Sequence, residues 1–421
     1  MFKEKCIIMI RIVIFLFFVI ISIGGFSQAS QSKISETWDE LLLANDREKN
    51  FRLPAFLDLL SENDFKNDDK IPAGWIYENP ADTDYHFLAG ILPFRIQNSL
   101  LIWLVSLKDE TESWVFCNEL DFLELTEAKI TFNFDSNQTF SILINDVKYV
   151  DVPDIQIKIL FSKLKYDIPD NEKDILSRKI WERLEKLLEN KLLFDNDFSH
   201  FERLATVISA DKKVKICTWN VEYSSGEHFF YGGLAINTSS NPIVYELKDK
   251  RKSAENPLQS VMTPDNWYGC IYYDIIENRY EKNTYYTLIG FSGNNAFSQI
   301  KLVDILTFSD NEKPNPKFGL NMFTDRYKNN RRLIFEYGKN TTMMLRYDSN
   351  FNMIVIDNLS PSAPQFYNDF RYYGPDLSYN GLRFDKGKWI YEDEIDFKDN
   401  KNIEKTPQRI KRQRIPNLET E

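Results

Sequence analysis

The sequence predicts an α+β protein that is predominantly antiparallel β-sheet, and three observations carry that reading. Residues 267–308 hold three short runs, WYGCIYYDII, TYYTLIGF and IKLVDILTF, rich in β-branched and aromatic residues. Each is long enough for a strand and too short for a stable helix. The separators hold Asn278, Asn283, Gly293, Asn294 and Asn295, which tolerate the backbone angles of tight turns. Aromatic residues make up 14% of the chain, with 32 Phe and 21 Tyr, and such side chains suit pleated, half-buried surfaces. Residues 267–308 therefore read as a three-stranded antiparallel meander around which the chain is organised.

Length and composition bound the rest. The chain has 421 residues, a formal charge of −11 and 43% hydrophobic residues, which suits two domains with a sizeable core. With 15 Gly and 16 Pro it is not collagen-like or dominated by linkers. The acidic balance argues against nucleic acid as a partner, because that needs a basic footprint.

Residues 1–29 read as a secretory signal. Lys3, Lys5 and Arg11 form a positive end, 12–23 is an apolar run, and Ser27-Gln28-Ala29 places small residues where signal peptidase reads them. The run is shorter than the roughly 20 residues that span a bilayer, so cleavage after Ala29 is expected, with no stable membrane span afterwards. No lipoprotein-type cysteine follows it. The expectation is export to the periplasm, the outer membrane or the medium. Cys117, Cys217 and Cys270 remain after cleavage, without a CxxC pair. Cys217 and Cys270 sit in apolar strand runs and read as buried small hydrophobes, with a bridge between them as the alternative.

Residues 30–169 read as a mixed α+β region. Trp38, Leu41 and Leu42 recur at helical spacing, as do Phe56, Leu57, Leu59 and Leu60, with Pro54 breaking or restarting the helix. Strand patterns follow, including SLLIWLVSL (99–107), SWVFC (113–117), KITFNF (129–134), TFSILI (139–144) and IQIKILF (155–161). Residues 170–209 read as a helical connector. Ile175, Ile180, Leu184, Leu187 and Leu188 form one apolar stripe, with Asp170 placed to cap the first turn. A second helix is expected through Phe198, Phe201, Leu204 and Val207.

Residues 210–398 read as an antiparallel β domain, a meander-type β-sandwich or open barrel, with propeller-like blades as the alternative. Its sharpest hairpin turns at Lys386-Gly387, which sets Phe384 opposite Trp389 and Leu382 opposite Tyr391. The competing role for Trp389 is an exposed sugar platform. Residues 399–421 are polar and basic, with Lys405, Arg409, Lys411, Arg412 and Arg414, and read as a disordered tail.

The order of aromatic-rich segments DKKVKICTWNVEYSSGEHFFYGG, NWYGCIYYDII, TYYTLIGFSGNN, RRLIFEYGKNTTMMLRYD and YYGPDLSYNGLRFDKGKWIYEDEIDF resembles a family of exported Bacteroidota proteins. The similarity covers about 198–397. It implies export from a Gram-negative cell. It implies no activity, so it assigns no functional residue.

Searches for catalytic and ligand motifs assign none. His86, His200 and His228 are the only histidines, and none lies in HExxH, so no metal is expected. Gly290-Phe291-Ser292-Gly293 has Asn294 where a hydrolase elbow needs glycine, and it reads as a turn. Asp348-Ser349-Asn350-Phe351-Asn352 alternates oxygen ligands, but Met353 stands where a calcium loop needs glycine, so it reads as a hairpin turn. No nucleotide glycine motif occurs and no cofactor is expected. The reading is an exported, non-catalytic protein that binds an envelope protein or glycan, or stabilises an envelope assembly. The alternative is a hydrolase of cell-envelope polymers or glycans, whose carboxylates only geometry reveals.

Overall fold

A computed structural model describes residues 29–61, 75–78, 85–93, 99–107, 113–120, 129–134, 139–309 and 313–395. The expected signal run before residue 29 and the basic tail lie outside the described residues. The chain divides into two compact units, 1–155 and 156–421. Among the described residues, no helix is long and apolar enough to cross a membrane.

In the first unit, helices α1 (Ala29–Leu43) and α2 (Asp46–Ser61) cover an antiparallel sheet of β1 (Ile76–Glu78), β2 (Tyr85–Leu92), β3 (Ser99–Leu107) and β4 (Ser113–Leu120). Trp38, Leu41, Phe56 and Leu60 pack with Trp75, Leu88, Ile102 and Leu104 in that core. The opposite sheet face carries Phe87 and Trp103, as the two-residue period of a strand requires. These meet Phe132 and Phe140 of a small sheet, β5 (Ile130–Phe134), β6 (Phe140–Ile144) and β7 (Val147–Val152), with Phe87 and Phe140 stacked at 4.5 Å.

The second unit opens with α3 (Ile155–Lys163) and α4 (Asp170–Glu189). Three antiparallel sheets follow, each from consecutive strands. The first joins β8 (Ala205–Ile208), β9 (Val214–Glu222), β10 (His228–Ile236) and β11 (Ile243–Lys248). The second joins β12 (Ile271–Tyr280), β13 (Asn283–Ser292) and β14 (Ser298–Thr307), with β15 (Lys317–Phe318) and β16 (Leu333–Gly338) sharing the outer edge of β14. The third joins β17 (Leu345–Asp348), β18 (Met353–Pro361), β19 (Tyr373–Asp385) and β20 (Lys388–Ile395).

The expected meander is the middle layer of this stack. Tyr286, Leu288, Ile300, Leu302 and Leu306 face the first sheet, meeting Ile216, Phe230 and Leu234. Ile289, Val303 and Ile305 face the third, meeting Leu345, Ile354, Ile356, Leu382 and Trp389. Both faces of β13 and β14 are buried, which is why their sequences are near-continuous apolar runs. Stacked sheets make this a sandwich with a third layer, and no barrel closes among the described strands. Helix α4 covers the outer face of the first sheet, its Trp181 and Leu188 packing on Gly233, where a Cβ would lie 2.5 Å from the indole.

Two charged groups sit inside the stack. Arg332 and Asp304, both without solvent exposure, pair at 3.0 Å, and Arg332 Nη1 also donates to the carbonyls of Pro257 and Ser260. Burial pushes the Asp304 carboxyl up while its arginine opposes that shift.

Five local expectations are corrected. Asp170 is the first residue of α4 and not its cap, because its carboxylate accepts from the Ser224 N–H and Oγ at 3.0 and 2.8 Å. Residues 155–161 form helix α3 rather than a strand. Ile155, Ile157, Ile159 and Phe161 are all buried, and a short run buried on most sides carries no usable period. Helix α2 runs through Pro54 without a break, held by buried Leu53, Phe56 and Leu60 on either side. The second connector helix is absent. Residues 191–193 form a 3-10 turn, Phe198 and Arg203 have φ of 52° and 72°, and 205–208 is strand β8. The loop is held by lysines instead. Lys215 Nζ donates to the carbonyls of Leu193 and Asn196 (3.0 and 2.7 Å), and Lys158 Nζ to that of His200 (2.9 Å). Burial pushes both lysines down to about 8. Finally, Cys217 and Cys270 are both buried free thiols, so the alternative of a bridge does not hold.

Candidate binding surface

Among the described residues of the second unit, the loop between β18 and β19 carries the largest group of exposed aromatic side chains, Tyr367, Phe370 and Tyr372. Its sequence, SAPQFYNDFRY, lacks an apolar period, so it forms neither strand nor long helix. Two 3-10 turns, Pro364–Phe366 and Phe370–Tyr372, shape it. Pro364 presets the first turn, and Asn368 takes the left-handed conformation between them with φ 67°.

The loop is internally braced. Asp369 accepts from Arg371 Nε at 2.8 Å and Nη2 at 2.6 Å, a two-point contact that fixes both side chains. Those hydrogen bonds hold the Asp369 carboxyl below its usual range. The Asn368 N–H donates to Tyr373 Oη at 3.1 Å, and Ser362 N–H to the Tyr372 carbonyl at 2.9 Å. Phe366 and Tyr372 stack with centroids 3.9 Å apart. The base sits on β16, where Gly338 has no room for a side chain: a Cβ there would lie 2.5 Å from the Arg371 carbonyl oxygen.

From that base Tyr367 projects into solvent at 74% exposure, with Phe370 and Tyr372 also exposed. Phe297, 63% exposed on the β13–β14 turn, lies beside the same edge, because its carbonyl accepts from Lys339 directly after Gly338. The surface thus presents aromatic rings from two adjacent sheets around a neutralised Arg371–Asp369 pair. Such a surface can bury large rigid side chains against a partner at small entropic cost.

The residues weighed in the sequence lie elsewhere. Trp389 is fully buried opposite Phe384, with ring centroids 5.3 Å apart, so it is a packing residue and not a platform. Ser292 ends β13, is fully buried and accepts from the Asn294 N–H at 3.1 Å, so no strand-to-helix elbow exists there. Asp348 closes the β17–β18 hairpin, paired with Arg346 at 3.1 Å. His228 bonds Asn220 at 2.8 Å, with burial pushing its imidazole down. His200 is half-buried against Phe201 and pushed down to about 4, mainly by desolvation. His86 is buried in β2. Among the described residues, no three His, Cys, Asp or Glu side chains gather as a metal site. The aromatic loop itself was missed, because ring density alone does not say which rings face inward.

Comparison of the chain with protein-family models, curated proteins and solved structures returns no match.

Proposed function

We propose that this is an exported, non-catalytic binding protein of a Gram-negative envelope that engages a protein partner through the β18–β19 loop. Export rests on the sequence of residues 1–29, and on the resemblance of 198–397 to exported Bacteroidota proteins. The observation that carries the binding reading is the exposure of Tyr367, Phe370 and Tyr372 on a loop pinned by the Arg371–Asp369 pair. Exposed apolar clusters on a rigid support mark interaction sites. Tyrosine and arginine dominate such sites, with Ser, Asn and Gly beside them, as here in Ser362, Asn368 and Gly374.

The test is site-specific photo-cross-linking in cells producing the full chain, with the photoreactive residue at position 367. Position 192, where Leu192 is 91% exposed on a turn after α4, is the control. A discrete protein adduct from 367 and none from 192 is expected. Equal adducts from both positions, or none from 367, would overturn the reading. An association with purified cell-wall glycan that depends on Tyr367, without any protein adduct, would replace the protein partner by a glycan.

A further inference from the structure

We propose that Leu377 is a strained apolar anchor which, with the Asp376 carboxylate beside it, inserts into an apolar pocket on a basic surface of the protein partner. This rests on the binding reading above and names the partner's chemistry.

The first observation is backbone strain. Leu377 has φ +70°, and it is the only aliphatic residue in the left-handed region among the described residues. A bulky side chain is unfavourable there, whereas Gly, Asn or Asp is tolerated. The conformation is built in. On β18 only Asn358 lies between Asp357 and Leu359, while their partners Tyr379 and Pro375 enclose Asp376, Leu377 and Ser378. This is a bulge. Asp376 Oδ1 accepts from both the N–H and Oγ of Ser378, at 3.0 and 2.6 Å, and Asp376 Oδ2 accepts from Asn358 Nδ2 at 2.7 Å. Asn380 Nδ2 closes the arrangement on Asn358 Oδ1 at 3.1 Å.

The second observation is what the strain achieves. Leu377 is 86% exposed, so the bulge turns an aliphatic side chain into solvent instead of into the core. It follows the aromatic loop directly, with Tyr373, Gly374 and Pro375 between them still on the ladder. An aliphatic knob offers no flat face for a sugar ring, which favours a protein over a glycan. Strained residues persist where surrounding structure enforces them, and they concentrate at functional sites.

The third observation is charge. Asp376 is exposed directly before Leu377, and Asp357 lies across the bulge on β18. The hydrogen bonds that the Asp376 carboxylate accepts come from the neutral groups of Ser378 and Asn358, so among the described residues no ion pair cancels its charge. Burial, opposed in part by Lys301 and reinforced by Asp376, pushes the Asp357 carboxyl up. An apolar knob beside the Asp376 carboxylate is complementary to an apolar pocket bordered by lysine or arginine.

The test compares Leu377→Gly with Leu377→Ala in the full chain, measuring melting temperature and affinity for the purified protein captured from position 367. Glycine relieves the strain and alanine keeps its Cβ, so the glycine variant should melt about 2 °C above the alanine variant. Both should bind about tenfold more weakly than the parent, and Asp376→Asn should weaken binding at low salt far more than at high salt. A glycine variant melting at or below the alanine variant would show that Leu377 is not strained and would overturn the proposal. Unchanged affinity in both variants would overturn the anchor while leaving the loop as the binding surface. Failure to capture any protein at 367 would remove both.

Discussion

Trp389 Nε1 donates a hydrogen bond to Thr287 Oγ1 at 3.0 Å, and neither side chain is exposed to solvent. Thr287 lies in the middle sheet and Trp389 in the third, so this bond joins two layers through the centre of their shared core. The Thr287 hydroxyl donates its own hydrogen bond to Asn278 Oδ1 at 2.8 Å, which leaves its oxygen to accept from the indole. The backbone of Trp389 also bonds outward, its N–H to the Met322 carbonyl at 2.7 Å and its carbonyl from the Thr324 N–H at 3.2 Å. Trp389→Ala is expected to cost about 3–5 kcal/mol. Thr287→Val, close in shape, leaves a buried indole N–H without a partner and is expected to cost about 1–3 kcal/mol. Denaturant melts of the two variants check both values. A Trp389→Ala protein as stable as its parent would contradict the packing role.

The Asp304–Arg332 pair behaves differently when one or both members are changed. Asp304→Ala strands a guanidinium with no solvent access, and a loss of about 3–5 kcal/mol is expected. Replacing both with Leu and Met should recover most of that loss, because the penalty comes from the unpaired charge. Urea unfolding of the single and double variants distinguishes them. A double variant as unstable as Asp304→Ala would show that the Arg332 contacts to Pro257 and Ser260 carry the stability instead.

His200 is expected to contribute acid sensitivity to the second unit. Burial and then the nearby Lys158 charge push its imidazole down to about 4, from 6.5 in the unfolded chain, with Asp197 opposing and Lys215 adding to the shift. The folded state therefore binds fewer protons than the unfolded one between these values. Stability is complete above about pH 6.5 and falls as pH drops toward 4, by at most about 1.4 kcal/mol per pH unit from this group. His200→Phe is expected to flatten that part of the stability profile relative to the parent. Identical slopes in both proteins between pH 6.5 and 4 would rule His200 out as the source.

Much of the stack was legible in sequence because turn chemistry and strand period agree there. The 267–308 meander and the Lys386-Gly387 turn, with φ of 45° and 77°, are such cases. What was not legible depends on partners distant in sequence. Residues 155–161 fit either period until burial on most sides is known. Phe198 and Phe201 have helical spacing, yet Phe198 and Arg203 take left-handed backbone angles and Lys215 reaches across from β9 to bind the Leu193 and Asn196 carbonyls just ahead of them. Trp389 and Tyr367 are both large aromatics in β-rich sequence. Only the layering decides that one is core and the other is exposed. The Leu377 bulge had a local signal in Asp376 and Ser378, an Asx-type turn, but its register depends on Asn358 in the neighbouring strand.

The binding role of the β18–β19 loop is read out by a single comparison. It is the affinity of the protein captured at position 367 for the parent chain and for a Tyr367→Ala, Phe370→Ala, Tyr372→Ala variant, by calorimetry on the full-length proteins. The variant rings are exposed, so its melting temperature should stay within about 2 °C of the parent. Its affinity should fall at least about 100-fold, the loss expected when several aromatic contacts at the centre of an interface are removed. A variant that melts like the parent and binds equally well would contradict the account.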